Sequence, residues 1–254
     1  MAATTVKGSP AVPSKADYGL DAPGMVRNIA TRGAMLFLLG LGLWYMNRET
    51  NPHGGTALFV VLGIAGLGFG AAAGVMVWSS RVAKLAMREQ ILDSVSWRGD
   101  EKVLDVGCGR GLMVVGAAKR LKSGRATGVD VWNAADLSGN NAEAAMANAR
   151  AEGVASLVKI ENSDARRLSY AANSFDVVVS SLALHNISES EERGKALDEM
   201  LRVVKPGGQI LIWDLFKYGE YLARFRAAGA EIVSESGLSL LWCVPGKWFV
   251  VKKR

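Results

Sequence analysis

Apolar and polar positions along the chain follow two different rhythms, which change near Arg81. Between Thr56 and Trp78 no charged residue interrupts TALFVVLGIAGLGFGAAAGVMVW, a run of 23 positions. At ~1.5 Å per residue such a helix is about 34 Å long, enough to cross a hydrocarbon core ~30 Å thick. Apolar runs in the core helices of soluble domains are shorter, ~10–14 residues, so a membrane span is the expectation. A second run, Gly33–Met46, precedes it. Extended back through Ile29, Ala30 and Thr31, with Arg32 snorkelling to the interface, it reaches ~27 Å. Trp44 and Tyr45 stand at its end, where interfacial aromatics belong. The connector Asn47–Gly55 carries Asn51-Pro52 and Gly54-Gly55 and reads as a turn. These features predict a transmembrane helical hairpin over 28–80. Residues 1–27, with Pro10, Pro13 and Pro23 among Ala, Ser and Lys, read as a mobile tail.

Beyond Arg81 the helical spacing of Val82–Val95 gives way to short apolar runs that alternate with helical patterns. Strand-like segments are Lys102–Val106, Ala126–Val131, Leu157–Ile160, Phe175–Ser180 and Gln209–Trp213. Helical ones are Leu112–Leu121, Ala142–Ala151 and Glu192–Val203. Two more strand-like runs, Glu231–Ser234 and Trp248–Lys252, follow the helical Tyr218–Ala228. This alternation predicts an α/β domain over 81–254, built on a doubly wound, mostly parallel seven-stranded sheet.

Composition narrows the functional classes. An apolar fraction of 50% and a charged fraction of 21% argue against bulk disorder. Cys108 and Cys243 are too few for a disulfide scaffold, and His53 and His185 stand alone, so no metal site is expected. The net charge is +6. It is spread along the chain with only Lys252-Lys253-Arg254 as a run, which disfavours nucleic acid as a partner. Around the hairpin the charge sets an orientation. Lys7, Lys15, Arg27 and Arg32 flank one side and Arg81, Lys84 and Arg88 the other, whereas the connector has Arg48 beside Glu49. The positive-inside rule then places both ends, and the α/β domain, in the cytoplasm. A cleaved signal peptide is not expected, because polar Asn47–Asn51 follows the first run without a small-x-small pattern. Gly66, Gly70 and Gly74 recur every four residues, a face suited either to packing the two spans together or to a homodimer.

Candidate chemistry lies in Val103-Leu104-Asp105-Val106-Gly107-Cys108-Gly109-Arg110-Gly111, a strand entering a glycine turn before a helix. Doubly wound sheets bind ligands at the carboxyl ends of their strands. A dinucleotide fingerprint fails here, since the third glycine position is Leu112. Asp105, two residues before Gly107, would repel a pyrophosphate and suits a ligand with a cationic amine.

With these residues in view, the chain resembles the class I S-adenosylmethionine-dependent methyltransferases, which have a Rossmann-like fold. VLDVGCGRG is similar to their first motif, and later landmarks follow in family order from Glu101 to about Asp214. Gly128-Val129-Asp130 closes the second strand, and the resemblance implies that Asp130 holds the ribose hydroxyls of the cofactor. In Asn162-Ser163-Asp164-Ala165, Asp164 resembles the carboxylate that accepts from the adenine amino group. Ser174–Ser181 resembles the fourth strand, and Arg202–Gly208 the turn before the fifth. The implied cofactor, S-adenosyl-L-methionine, would then meet Asp105, Gly107, Cys108, Gly109, Gly111, Asp130, Val131, Asp164, Ala165 and Ser180. As alternatives, Asp130 and Asp164 would cap helices, Asp176 would be a solvent-facing strand start, and Cys108 a small packing residue rather than a nucleophile.

The implied reaction is in-line displacement of the sulfonium methyl group, carried chiefly by proximity and orientation. His185, after the fourth strand, is the candidate catalytic base. Its other reading is a residue that orders the loop, with Asn186 capping the next helix. Tethering at a bilayer raises the local concentration of membrane-dissolved molecules. A small or lipid-like acceptor (lipid, quinone or hydrophobic metabolite) at the cytoplasmic membrane face is therefore expected. Two other readings stay open: a non-catalytic membrane protein with a ligand- or partner-binding Rossmann-like domain, and a methyltransferase of a water-soluble or protein substrate.

Overall fold

The computed structural model describes residues 15–254. Helices α1 (Pro23–Asn47) and α2 (Pro52–Trp78) form an antiparallel hairpin. Asn51 caps α2 by accepting a hydrogen bond from the Gly54 N–H, 3.0 Å away. The helices approach so closely that a Cβ on Gly66 would lie 2.7 Å from the Gly33 carbonyl oxygen. Small residues permit this contact, and Phe37 and Trp44 then pack their rings on Phe59. Gly66 is thus used inside the hairpin. A Cβ on Gly70 or Gly74 would meet nothing within this chain, so of the three glycines Gly66 is the one whose missing side chain the hairpin uses. Both helical runs are long and apolar enough to cross a membrane, and most of their apolar side chains are exposed.

No break separates hairpin from domain at residue 80. Helix α2 continues through a π turn at Ser79–Ala83 into α3 (Lys84–Leu92). The sheet comprises β1 (Lys102–Val106), β2 (Arg125–Asp130), β3 (Val158–Asn162), β4 (Phe175–Ser181), β5 (Val204–Leu215), β6 (Glu231–Glu235) and β7 (Gly246–Lys252). Its order is β3-β2-β1-β4-β5-β7-β6, parallel except for β7, which runs antiparallel to β5 and β6. Strand β5 begins five residues earlier than the hydrophobic pattern suggests. Val204 already pairs with Phe175, and the register then shifts before Gln209 meets Val177.

Side chains alternate across each strand. Val103, Val177, Val179 and Leu211 face one core, under α3, α4 (Leu112–Ala118) and α5 (Ala142–Ala151). Leu104, Val178, Ile210 and Ile212 face the other, under α6 (Ser190–Val203) and α7 (Tyr218–Ala227). The doubly wound sheet read from the sequence is the observed one.

The expected tail needs correcting. Residues 1–14 lie outside the described residues, but Lys15–Ala22 are packed against the domain and α1 already starts at Pro23. Tyr18 is buried and its hydroxyl bonds to Glu152. Asn148 of α5, itself buried, accepts from the Asp17 N–H (2.8 Å) and donates to the Asp17 and Arg110 carbonyls (2.9 and 2.8 Å). Leu20 donates to Ser138 Oγ, and Asp21 bridges Leu137. Composition did not reveal this, because the partners of these backbone groups lie more than a hundred residues away.

Asn148→Ala should strand two of these groups, the Asp17 N–H and the Arg110 carbonyl, because the Asp17 carbonyl keeps a bond from Arg110 Nε at 2.7 Å. Each unsatisfied buried group costs ~1–3 kcal/mol. Thermal unfolding of the detergent-solubilised protein is expected to show a midpoint lower by several degrees, with faster proteolysis confined to residues 15–22. Wild-type protection of that segment in the variant would show that Asn148 does not hold it.

Candidate active site

The sheet order reverses between β1 and β4, and there, at the strands' carboxyl ends, lies a cavity of about 550 Å³. The glycine turn forms its rim. Gly107 and Cys108 both donate to the Val129 carbonyl (2.8 and 3.0 Å), turning the chain back over β2. Gly107 has φ +74°, and a Cβ there would fall 2.2 Å from the Ala183 Cβ. Only glycine fits this position without strain.

Three carboxylates are set around that turn. Asp105, almost fully buried, accepts the Val114 N–H of α4 at 2.8 Å through one oxygen, whereas its other oxygen has no partner among the described residues. Burial pushes the Asp105 carboxyl up to about 8; the Val114 bond opposes this and the nearby Asp130 charge reinforces it. Asp130 accepts from the Gly109 N–H (2.8 Å) and the Trp132 N–H (2.7 Å). Asp164 accepts from the Arg166 N–H (2.9 Å) and is gripped by its guanidinium, which holds the carboxyl below its usual range. Neither Asp130 nor Asp164 caps a helix; each closes a turn with the residue two positions on.

Of the residues singled out in the sequence, Asp105, Gly107, Cys108, Gly109, Asp130, Val131, Asp164 and Ala165 line the cavity. Gly111 stands behind them as the left-handed residue before α4. Ser180 is buried away from the cavity, where its hydroxyl donates to the Val106 carbonyl and ties β4 to β1. Cys108 is a buried free thiol whose pKa is pushed well up by burial and by Asp105 and Asp130, which makes it a packing residue. Asp176 accepts from the Lys102 N–H and pairs with Lys205, a structural role. Among the described residues no cluster of His, Cys, Asp and Glu could hold a metal.

His185 lies in the 3₁₀ turn Leu184–Asn186; its neighbours Leu184 and Asn186 line the cavity, whereas His185 itself stands behind them. Its backbone N–H donates to Asp214 Oδ2 at 3.0 Å, and its Nδ1 lies 2.5 Å from Asp214 Oδ1. Asp214 is buried at the end of β5 and also accepts from the Tyr221 hydroxyl at 3.1 Å. Burial alone would lower the imidazole pKa. The Asp214 bond and charge, with Asp136 and Asp21 adding to them, outweigh it and raise the pKa above the usual value. Nε2 makes no hydrogen bond with another described residue, which leaves one ring nitrogen available.

Several lining residues carried no signal in the sequence. Tyr18, Asp21 and Lys84 close one side, from the segment before α1 and from α3. Lys84 donates to the Tyr18 and Gly19 carbonyls (2.8 and 3.1 Å) and pairs with Asp21 (3.1 Å). Arg110 pairs with Asp17 at 3.0 Å. The cations at the wall, Lys84, Arg110 and Arg166, are therefore each matched by a carboxylate. Asp105, Asp130 and Asp136 form no ion pair among the described residues. A cavity with unpaired carboxylates and a glycine rim fits a cationic ligand, and S-adenosylmethionine is one, with a sulfonium and an ammonium group.

Comparison with known proteins agrees with this chemistry. Residues 104–212 match the methyltransferase domain family. The methyltransferase GfsG of Streptomyces halstedii is 34% identical over 133 residues, 52% of this chain and 44% of its own. A demethylmenaquinone methyltransferase of Beutenbergia cavernae is 33% identical over 158 residues, 59% of each chain. The chain thus spans about half the length of the curated relatives it matches. In fold, the [4+2]-cyclase SpnF superposes with a TM-score of 0.57 at 20% identity, covering 66% of this chain and 81% of its own. The match over residues 104–212 and the curated relatives support an S-adenosylmethionine-dependent methyltransferase domain, and the solved structure shares its Rossmann-like fold.

Gly107→Ala should combine left-handed strain of ~1–3 kcal/mol with the Ala183 clash, lowering the unfolding midpoint and weakening cofactor binding at least tenfold. Ala183→Gly added to it should recover part of the loss, because it removes the clash and leaves the strain. Calorimetry and thermal unfolding of both variants check this, and unchanged behaviour in Gly107→Ala would contradict the geometry.

Proposed function

We propose that this protein is a membrane-anchored methyltransferase that methylates a lipid, quinone or other hydrophobic acceptor at the cytoplasmic face of a bilayer. One observation carries the reading. The helix that holds Lys84 at the cavity wall is the same unbroken helix that contains the apolar run ending at Trp78. The cavity therefore stands within a few turns of the hairpin's basic end, where Arg81 is exposed. The demethylmenaquinone methyltransferase relative supports a hydrophobic small-molecule acceptor.

The bound cofactor supplies an electrophilic methyl group. Asp105, with its unpartnered oxygen, would hold the cationic amine, Asp130 the ribose hydroxyls and Asp164 the adenine amino group. The paired Arg166 keeps Asp164 ionised for that purpose. His185 is the base for an acceptor that carries a proton. Asp214 accepts the Nδ1 proton and so fixes Nε2 as the free, basic nitrogen. Tyr221 and the His185 backbone N–H hold Asp214 in turn. The segment Asp17–Asp21 covers the cavity and limits access of water.

Two expected outcomes follow from the titrating groups. In the empty protein Asp105 stays protonated up to about pH 8, and a cationic ligand favours its ionised form. Cofactor binding at pH 7 should then release about one proton, with affinity rising from pH 6 to 8. Calorimetry in buffers of different ionisation enthalpy reads this, and Asp105→Asn should abolish the release. The raised pKa also means that the empty protein loses stability as pH climbs from the ordinary carboxyl range through about 8.

For the chemistry, methyl-labelled cofactor incubated with membrane extract should label a solvent-extractable product. His185→Ala should lower kcat by ~10²–10⁴-fold if the acceptor carries a proton. Asp214→Asn removes the charge that raises the His185 pKa, so the acid limb of kcat should move to lower pH. Labelling of water-soluble material alone would overturn the acceptor class, and no labelling at all would favour a binding role.

A further inference from the structure

The loop between β6 and β7 does not end at the domain surface. It folds back on the lower part of the hairpin, where Trp242 donates from its backbone N–H to Ser79 Oγ (3.2 Å) and from Nε1 to Ser80 Oγ (2.9 Å). The Trp242 ring packs on Trp213 at the end of β5, centroids 5.4 Å apart. Next to it, Cys243 Sγ lies 4.0 Å from the Ala72 carbonyl oxygen. Ala72 is inside α2, six residues before Trp78, a distance of ~9 Å along the helix axis. The loop thus stands level with the apolar run itself rather than beyond its end.

The same loop exposes large apolar side chains, and Phe216, just after β5, stands beside it. Leu238 and Leu240 are 65% and 70% exposed, and Phe216, whose N–H donates to the Pro245 carbonyl, is 55% exposed. Lys217 is exposed beside Phe216. Trp242 and Cys243 have consecutive positive φ values, +56° and +60°, in non-glycine residues. Such strain persists only where surrounding contacts hold it, and here the Ser79 and Ser80 hydroxyls do so.

Resting on the reading that the hairpin spans a bilayer, we propose that Leu238, Leu240 and Phe216 form a second membrane contact, seated at the boundary between lipid headgroups and acyl chains. The occupant of this apolar surface is lipid because the loop that carries it touches the apolar run of α2 at Ala72 through Cys243. A loop held against that run by Cys243 meets the same surroundings as the run. Apolar side chains at this boundary typically enter ~5–10 Å deep, which matches the depth of the loop. Lys217 then reaches anionic headgroups. With the hairpin as one attachment and this loop as another, the α/β domain is held at a fixed tilt to the surface.

Depth-dependent quenching tests the inference on the full chain in vesicles of phosphatidylcholine and phosphatidylglycerol. In a Cys243→Ser background, where Cys108 is buried, single cysteines are introduced by Leu240→Cys, Ile64→Cys and Lys122→Cys and labelled with an environment-sensitive fluorophore. Ile64 lies exposed in the middle of α2 and Lys122 at the opposite end of the sheet domain. Label at 240 should lose about half its emission to lipids carrying a nitroxide near the head of the acyl chain, as interfacial seating requires. Label at 64 should respond to a deep nitroxide, and label at 122 to neither. Quenching at 64 with none at 240 would overturn the second contact and leave the hairpin reading intact. Absence of quenching at 64 would overturn the membrane reading and this inference with it.

Discussion

A buried ammonium group holds the molecule's three parts in one arrangement. Lys84 is almost completely buried on the helix that continues from the hairpin, and its Nζ is surrounded by the Tyr18 and Gly19 carbonyls and the Asp21 carboxylate. A buried charge is tolerated only when it is paired and hydrogen-bonded. The segment before α1 must therefore lie across the cavity, because it alone brings those acceptors to Lys84. Arg88, one turn further along, repeats the device with Tyr18 and Glu152. Hairpin, cover and sheet domain are thereby joined through α3, and disturbance of any one is felt by the others.

The same economy of charge shapes the cavity. Positive side chains around it are committed to carboxylates of the cover or of the adjoining loop, so among the described residues Asp130 and Asp136 form no ion pair, and Asp105 is held buried and protonated. Asp105 is the sharpest case, with one oxygen satisfied by α4 and the other by no described residue. Such an atom is costly in an empty protein and becomes favourable when a cationic group meets it. A site that is strained while empty, and relieved by its ligand, discriminates strongly for charge.

Much of the architecture was legible before any coordinate. Strand and helix order followed from the switch between periods of two and about three and a half, because side chains alternate on strands and recur each turn on helices. The glycine turn was legible because Gly107 lies in a left-handed conformation hard against Ala183. Most residues expected to meet the cofactor, at the carboxyl ends of β1, β2 and β3, line one cavity, since a parallel sheet delivers those ends to one edge. Ser180 differs: strand alternation turns its hydroxyl to the Val106 carbonyl, and its neighbour Ser181 reaches the cavity instead.

By itself, the chain's pattern determined the order of its elements, the apolar hairpin and the chemistry of the strand ends, because each rests on neighbours within a turn or a strand. Tertiary structure decided the rest. Asp214 partners His185 across 29 residues, and Tyr18 meets Lys84 across 66. Asn148 reaches Asp17 across 131, turning an expected tail into the cover of the cavity. Gly66 was legible as a packing glycine, but only the crossing of α1 and α2 chose Gly33 as its partner. The physical reason is common to all four. A polar atom or a glycine carries no mark of which distant group will satisfy or approach it, and the folding of the sheet brings the two together.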